Sequence, residues 1–275
     1  MKKLIHYTLL VLLVFVSFTE AQEIIRMKGS DTMVILSQRW AETYMKLNHS
    51  VTIIVEGGGS GIGFTELIDG TTDIADASRQ IRLKETAQLK SRFNSLGVET
   101  KAAKDGLSFY LNNENPVKEL TFDQIKKIFT GEITNWKDVG GEDARIIVYG
   151  RDDMSGTFAY VSDFILDGRE YMPNIQTLPS TSAIVNAVAK DSHAIGYGGA
   201  AYARGVKFAA IKKDANSQAF LPTSENIRNN QYPVTRYLYL YTKTAPKGEL
   251  KKFIDWILSP VGQKLVDEVG YFPLQ

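Results

Sequence analysis

The spacing of hydrophobic and polar residues changes repeatedly along the chain, and each change predicts a turn from a strand into a helix. Residues 51–55, Val-Thr-Ile-Ile-Val, are β-branched throughout, which is typical of a strand. After residue 33 the apolar side chains instead recur at helical spacing, at Val34, Leu36, Trp40, Tyr44 and Leu47. Residues 24–80 follow the order strand, helix, strand, helix, strand, which predicts a parallel sheet flanked by helices.

The same alternation continues through the rest of the 275 residues, with no long linker, low-complexity tract or clear internal repeat. Further strands are predicted at residues 106–111, 146–149, 194–197 and 237–241. Further helices are predicted at residues 120–129, 155–165, 181–188 and 248–269. We expect an α/β protein with two halves: residues 22–105 form the first, residues 106–200 form the second, and residues 201–275 return to the first.

One strand-to-helix turn combines a fixed positive charge with small hydroxyl residues. In residues 150–158, Gly-Arg-Asp-Asp-Met-Ser-Gly-Thr-Phe, Arg151 precedes a helix that is expected to begin at Ser155. Hydroxyl groups at Ser155 and Thr157, and the free N–H groups of a helix N-terminus, are donors suited to an anion. The turn therefore indicates anion capture, against the alternative of an N-capped helix with an incidental arginine.

A glycine-rich turn at residues 56–64, Glu-Gly-Gly-Gly-Ser-Gly-Ile-Gly-Phe, places Ser60 at the start of another predicted helix. Its spacing fits no nucleotide motif, because Phe64 stands where a Walker loop needs lysine and no G-x-G-x-x-G can be drawn. Ile62 also occupies the last glycine position of a G-x-S-x-G elbow. Backbone N–H groups could bind an anion here; the alternative is a flexible loop.

Two more turns carry hydroxyl side chains after short strands. Residues 28–33, Lys-Gly-Ser-Asp-Thr-Met, offer Ser30, Asp31 or Thr32 as the N-cap of the following helix. Residues 73–80, Asp-Ile-Ala-Asp-Ala-Ser-Arg-Gln, end a strand with Ser78. Each turn has an ordinary explanation as a cap, but four such turns together indicate one shared binding site.

Composition excludes several classes of chemistry. The chain has no cysteine, so disulfides, thiol catalysis, cysteine–metal sites and a lipid-modified cysteine are excluded. Of three histidines, His49 and His193 lie beyond the N-terminal segment, in turn-like sequence where we expect solvent exposure. With no nucleophile–base pair evident, we expect neither catalytic residues nor a metal site. The formal net charge of +1 gives no indication of nucleic-acid binding.

The N-terminus has the pattern of a signal peptide. Two lysines follow Met1, an apolar run at residues 9–16 is too short to span a bilayer, and Ala21 offers a cleavage point. We therefore expect residues 1–21 to be a signal peptide and the remainder to be a soluble exported protein.

The ordered set of motifs resembles the phosphate-binding protein of Pst-type ABC transporters over nearly the whole chain after the signal peptide. The motifs are residues 29–32, 57–61, 73–79, Asn135-Trp136, Arg151 with 155–157, 195–198 and 253–263. The resemblance implies a two-lobed binding-protein fold of the type II-like class, each lobe a mostly parallel sheet flanked by helices. It also implies a monomeric periplasmic receptor without a cofactor, which closes around inorganic phosphate and delivers it to the permease subunits of an ABC importer.

The same resemblance implies which residues contact the anion. They are Ser30, Thr32, Ser60, Ser78, Arg151, Ser155, Gly156 and Thr157, with Asp153 orienting the arginine. One position departs from the family, because its best-known members have an aspartate where Ser78 stands. That acid accepts the proton that phosphate carries and sulfate lacks. Asp31 is the best candidate for this proton-accepting role, with Asp76 and Asp153 as alternatives. An equal alternative is that Asp31 caps the following helix and has no role in selectivity.

Two other functions remain open at the level of sequence. The first is a receptor for another tetrahedral oxyanion, namely sulfate, molybdate or tungstate. The second is a phosphatase-like hydrolase that uses Ser60 or Ser155 as its nucleophile.

Aromatic residues are expected to pack rather than bind. Alternation puts Tyr237, Tyr239 and Tyr241 on one face of a strand, where packing against helices is favoured over a sugar platform. Trp136 is likewise expected to anchor the core of the second half.

Overall fold

The structure is a computed structural model that describes residues 22–274, so the predicted signal peptide lies outside it. Its strands are β1 (Glu23–Gly29), β2 (Val51–Glu56), β3 (Ile74–Ala77), β4 (Val98–Leu111), β5 (Glu119–Thr121), β6 (Ile147–Gly150), β7 (Gln176–Thr177), β8 (Ala194–Gly199), β9 (Lys207–Phe208), β10 (Ala210–Lys212) and β11 (Thr235–Thr242). Its helices are α1 (Val34–Leu47), α2 (Ser60–Asp69), α3 (Leu83–Phe93), α4 (Phe122–Thr130), α5 (Gly156–Phe164), α6 (Thr181–Lys190), α7 (Ser224–Arg228), α8 (Gly248–Leu258) and α9 (Pro260–Val269). Within the described part of the chain, no helix has the length and apolar character needed to cross a membrane.

A mixed sheet runs through both halves of the molecule in the order β2-β1-β3-β11-β4-β8-β6-β7, with β9 also paired to β4. Strand β1 is parallel to β2 and β3, and β6 is parallel to β7 and β8. The two central strands β4 and β11 are antiparallel to each other and to their outer neighbours. The expected parallel sheets are therefore present at both ends, while the strands that cross between them run antiparallel.

The long strand β4 joins two separate hydrophobic cores. Ala102 and Ala103 pack in the core formed with α1, α8 and α9, whereas Leu107 and Phe109 pack in the core formed with α4 and α5. The chain thus passes from one half to the other near Asp105. This arrangement confirms the predicted two-lobed α/β fold.

The chain returns to the first half later than the sequence predicted. Strand β9 pairs with β4, and β10 pairs with β5, so residues 207–212 still belong to the second half. Ile227, Tyr232 and Val234 also pack in its core. By these contacts the return occurs at the start of β11, later than the approximate boundary expected near residue 201.

Local signals explain where several helices begin and end. Thr121 and Gln124 form a reciprocal capping box at α4, and Ser155 caps α5 as predicted. The helical pattern over residues 248–269 is divided into α8 and α9, because Ser259 has extended backbone angles and Pro260 starts the next helix.

The aromatic residues pack largely as expected. Trp136 is 1 % exposed, lies in the second core and donates from its indole nitrogen to the carbonyl of His193 at 2.8 Å. Tyr241 packs edge-on against Phe64 with ring centroids 5.1 Å apart. Both side chains therefore pack inside hydrophobic clusters.

Phe129 offers a direct test of the second core, because its buried ring packs near those of Phe109 and Tyr197. Phe129→Ala should lower the free energy of unfolding by about 3–5 kcal/mol through lost burial and the cavity left behind. Leu47→Ala, at a 64 % exposed position, should change it by about 0.5 kcal/mol or less. Urea unfolding measures both variants, and equal effects would contradict the assignment of Phe129 to the core.

Candidate functional site

The four hydroxyl-rich turns meet at one place, where the two halves of the molecule face each other. The first half contributes the ends of β1 and β3 and the start of α2, and the second contributes the turn before α5. The predicted contact residues other than glycine are each no more than 2 % exposed: Ser30, Thr32, Ser60, Ser78, Arg151, Ser155 and Thr157. Side chains that are far apart in sequence thus form one buried polar cluster.

Three serines from the first half are hydrogen-bonded to one another. Ser30 Oγ donates to Ser78 Oγ at 2.9 Å, and the backbone N–H of Ser78 donates to Ser60 Oγ at 3.1 Å. Ser60 begins α2 as predicted, after Gly59 with φ +114°. Because a hydroxyl can rotate between donating and accepting, these groups can turn their protons toward an anion.

The start of α5 lies directly opposite these serines. Ser155 Oγ accepts from the N–H groups of Thr157 and Phe158, both at 3.2 Å. Thr157 Oγ1 is 2.8 Å from Thr32 Oγ1, so this hydroxyl pair joins the two halves. A Cβ at Gly156 would lie 2.6 Å from Ser78 Oγ, so only glycine permits this close approach.

Arg151 pairs with Asp31 across the two halves. Its Nη2 donates to Asp31 Oδ2 at 2.5 Å, while Asp153 is exposed and forms no ion pair within residues 22–274. The carboxylate that contacts Arg151 in the structure is therefore Asp31, which is adjacent in space and not in sequence. A role for Asp153 in orienting the arginine stays a prediction.

Asp31 is available for this contact because it does not cap α1. That helix has Met33 at its N-cap, with no side-chain cap. Asp31 instead accepts from the N–H of Gly58 at 3.2 Å, and its carbonyl accepts from the hydroxyl of Tyr202 at 2.5 Å. The capping alternative for residues 30–32 is thus excluded.

A second buried arginine, Arg236, was missed by sequence reasoning. Its Nε and Nη2 donate to Asp105 Oδ2 at 3.0 and 2.9 Å. Nη2 also donates to the hydroxyls of Thr157 at 2.9 Å and Thr32 at 3.4 Å. The available signal was one charged residue directly before each of two predicted strands, Asp105 before residues 106–111 and Arg236 before residues 237–241, but their pairing depends on the strand register that aligns them.

Two further carboxylates beside the site are almost completely buried. Asp76 accepts from the Ser30 N–H at 2.9 Å and the Ser37 hydroxyl at 2.7 Å. Burial raises the pKa of Asp76 to about 7, although these hydrogen bonds oppose the shift. Burial also raises the pKa of Asp105, and the Arg236 charge works in the opposite direction.

The arrangement is suited to holding an anion. It presents two guanidinium groups, hydroxyls from both halves and Arg151 Nε, a buried donor with no partner among the described residues. Ser60 and Ser155 have hydroxyl or backbone partners there, and no imidazole or amine contacts either oxygen. Within residues 22–274, no group of three or more His, Cys, Asp or Glu side chains could hold a metal ion.

Known proteins provide an independent comparison. The sequence model of the PBP superfamily domain matches residues 16–261. The phosphate-binding protein PstS of Pseudomonas aeruginosa is 30 % identical over 263 residues, which cover 90 % of this chain and 81 % of that protein. PstS of Bacillus subtilis is 33 % identical over 247 residues, covering 90 % of this chain and 79 % of that protein.

Solved structures agree with the sequence comparison. A Clostridium perfringens phosphate ABC transporter substrate-binding protein, with bound phosphate, is 29 % identical with a TM-score of 0.83, covering 92 % of this chain and 100 % of that one. An ABC-type phosphate transport receptor from Vibrio cholerae is 28 % identical with a TM-score of 0.73, covering 91 % and 100 %. The chain therefore belongs to the PBP superfamily and, within it, to the family of Pst-type phosphate-binding proteins.

Proposed function

We propose that this protein captures inorganic phosphate between its two halves and delivers it to the permease of an ABC importer. The observation that carries the proposal is the convergence of two buried arginines with hydroxyls from both halves around Gly156. The relatives named as phosphate-binding proteins, and the Clostridium perfringens structure with bound phosphate, support the same ligand.

The proposed contacts to phosphate are those of the polar cluster. They are Ser30, Thr32, Ser60, Ser78, Arg151, Ser155, Gly156 and Thr157, with Asp31 beside them. Phosphate oxygens would replace the bonds that these hydroxyls make to one another, and would also accept from Arg151 Nε. Charge-assisted hydrogen bonds in a site closed to water are stronger than the same bonds in solvent.

Arg236 is proposed as an additional source of positive charge for the bound anion. Its Nη2 lies between the hydroxyls of Thr32 and Thr157, and both carboxylate bonds to Asp105 hold the guanidinium still. Arg236 therefore presents its Nη2 as a fixed donor beside the proposed anion.

Several further parts of the proposal rest on the sequence. The signal-peptide pattern of residues 1–21 supports export to the periplasm, where a soluble monomer would meet the permease.

We expect no chemical reaction, since Ser60 and Ser155 have no base beside them among the described residues. Turnover of a chromogenic phosphate ester would contradict this and favour the hydrolase.

Selection of phosphate over sulfate is proposed to depend on Asp31. Phosphate near neutral pH carries a proton that can be donated to a carboxylate, whereas sulfate carries none and is repelled. Asp31 is 13 % exposed, and its carboxylate contacts Arg151, one of the proposed phosphate contacts, and accepts from the Gly58 N–H, so it lies at the edge of the same cluster. A receptor for sulfate, molybdate or tungstate would not need a carboxylate that accepts a proton from the anion.

Arg151 is the most direct test of the binding site. We expect micromolar or tighter phosphate binding, and Arg151→Ala should weaken it at least about a hundredfold, because loss of one partner of a buried charged contact costs about 2–5 kcal/mol. Calorimetric titration measures the affinity, with the exposed Arg145→Ala as a matched control expected to bind normally. Binding by Arg151→Ala within a few-fold of the parent would contradict the proposed site.

Asp31→Asn tests the proposed selectivity. Asparagine keeps the size of the side chain but introduces an N–H₂ donor, so phosphate affinity should fall and the phosphate-to-sulfate affinity ratio should drop by about tenfold or more. Asp153→Asn changes an exposed carboxylate in the neighbouring turn and should leave the ratio unchanged. Titrations with both anions give the ratio. An unchanged ratio in Asp31→Asn would direct the search to Asp76.

Asp76 should make stability depend on pH. Its folded pKa of about 7 exceeds the ordinary value of 3.8, so the folded state keeps the proton longer and loses stability as pH rises from about 4 to about 7. Asp76→Asn cannot lose that proton, so relative to the parent it should gain up to about 1.4 kcal/mol per unit of pKa shift. Urea unfolding without phosphate at about pH 4.5 and about pH 8 measures this. If the difference in unfolding free energy between Asp76→Asn and the parent were the same at both pH values, it would contradict the raised pKa of Asp76.

A further inference from the structure

A tyrosine from the second half reaches the turn that carries Asp31 and Thr32. Tyr202 ends a short 3₁₀ helix, Ala200–Tyr202, directly after β8, and its hydroxyl donates to the backbone carbonyl of Asp31 at 2.5 Å. The other hydrogen bond to this carbonyl, from the Val34 N–H, is longer at 3.4 Å. Tyr202 therefore provides the shorter hydrogen bond to the backbone that joins two residues of the proposed site.

The Tyr202 side chain lies where the two halves meet. It packs against the first core, to which α1 contributes Trp40, and also against a smaller apolar cluster, to which α6 contributes Ile184. It lines a cavity together with Ile35 of α1 and Val185 of α6. The bond from its hydroxyl to Asp31 therefore joins a segment of the second half to a turn of the first.

The next carbonyl along the same turn has a tyrosine partner from the first half. The hydroxyl of Tyr271 donates to the carbonyl of Thr32, and the Tyr271 ring is buried in the first core. Because this contact lies within one half, it holds the turn whether or not the halves are closed. Of the two tyrosine contacts, the one from Tyr202 makes the backbone of the turn depend on the second half.

Helix α1 begins directly after this turn and has no side-chain cap from its own N-cap residue, Met33. The first N–H groups of a helix have no partner within the helix, so the backbone at its start needs other contacts. Burial raises the pKa of the Tyr202 hydroxyl, although a backbone contact from Ile35 opposes the shift. The hydroxyl therefore keeps its proton at neutral pH and remains a donor to the Asp31 carbonyl.

We propose that Tyr202 is a positioning residue for phosphate binding, which fixes the backbone of Asp31 and Thr32 from the opposite half when the halves are closed. The proposal rests on the proposed function, because it assumes that both residues lie beside bound phosphate. Removing the donor leaves the Asp31 carbonyl with a weaker set of hydrogen bonds in the closed form. The closed form should then open and release phosphate faster, whereas capture of phosphate by the open form should not depend on this hydroxyl.

Tyr202→Phe tests the proposal, because phenylalanine keeps the ring and removes only the hydroxyl. Calorimetric titration gives the phosphate affinity, and release of ³²P-labelled phosphate into excess unlabelled phosphate gives the dissociation rate constant. We expect the dissociation rate constant to rise about tenfold and the affinity to fall about tenfold, as for the loss of one hydrogen bond shielded from water. The association rate constant calculated from the two should change less than about twofold.

Tyr232→Phe is the matched control. The Tyr232 hydroxyl also donates to a backbone carbonyl, that of Leu107 at 2.7 Å, but both residues lie in the second core. This variant should keep both rate constants within about twofold of the parent. Urea unfolding without phosphate checks that both variants are folded.

The outcomes separate a positioning role from a merely structural one. An unchanged dissociation rate constant in Tyr202→Phe would overturn the proposal and leave the proposed function intact. An affinity loss that comes from slower association, or that Tyr232→Phe reproduces, would also overturn it. Absence of phosphate binding by the parent protein would contradict the proposed function itself, and this proposal with it.

Discussion

The buried ion pair between Asp31 and Arg151 is the contact on which the rest of the site depends. Arg151 is 2 % exposed, and a guanidinium removed from water to that degree requires a partner to offset its lost hydration. That partner belongs to the other half of the molecule, so the Arg151 charge is buried and paired only where the two halves are in contact. The Thr32–Thr157 hydroxyl pair and the bond from the Gly61 N–H to the Met154 carbonyl form at the same boundary.

A second pair, Asp105 with Arg236, repeats this arrangement where β4 crosses from one core to the other. In both pairs the carboxylate fixes the direction of the guanidinium and also reduces the net charge. Much of the binding strength must then come from oriented hydroxyl and N–H donors, which suits a small anion with several oxygens. Among the described residues, Asp105 Oδ1 is buried without a hydrogen-bond partner, which destabilises the fold. The ion pair between Asp105 Oδ2 and Arg236 offsets this loss.

Sequence reasoning predicted the local features well, because strands, caps and glycine turns depend on neighbouring residues. Ser155 caps α5, Ser60 begins α2, and the predicted hydroxyls gather in one buried cluster. The errors concern contacts between distant segments. The family resemblance implied Asp153 as the residue that orients Arg151, whereas Asp31 contacts the arginine from the other half, and Arg236 meets Asp105 only through strand register. The late return of the chain was missed because β9 and β10 span two and three residues, too few for a periodic pattern.

A crystal structure with bound phosphate tests most directly where the anion lies relative to the two arginines. Arsenate, the heavier analogue, would locate the same site through anomalous scattering. We expect one anion between the halves, in contact with Arg151, with Arg236 and with hydroxyls from both sides. An ordered anion bound elsewhere, with the Thr32–Thr157 hydroxyl pair still intact, would contradict it.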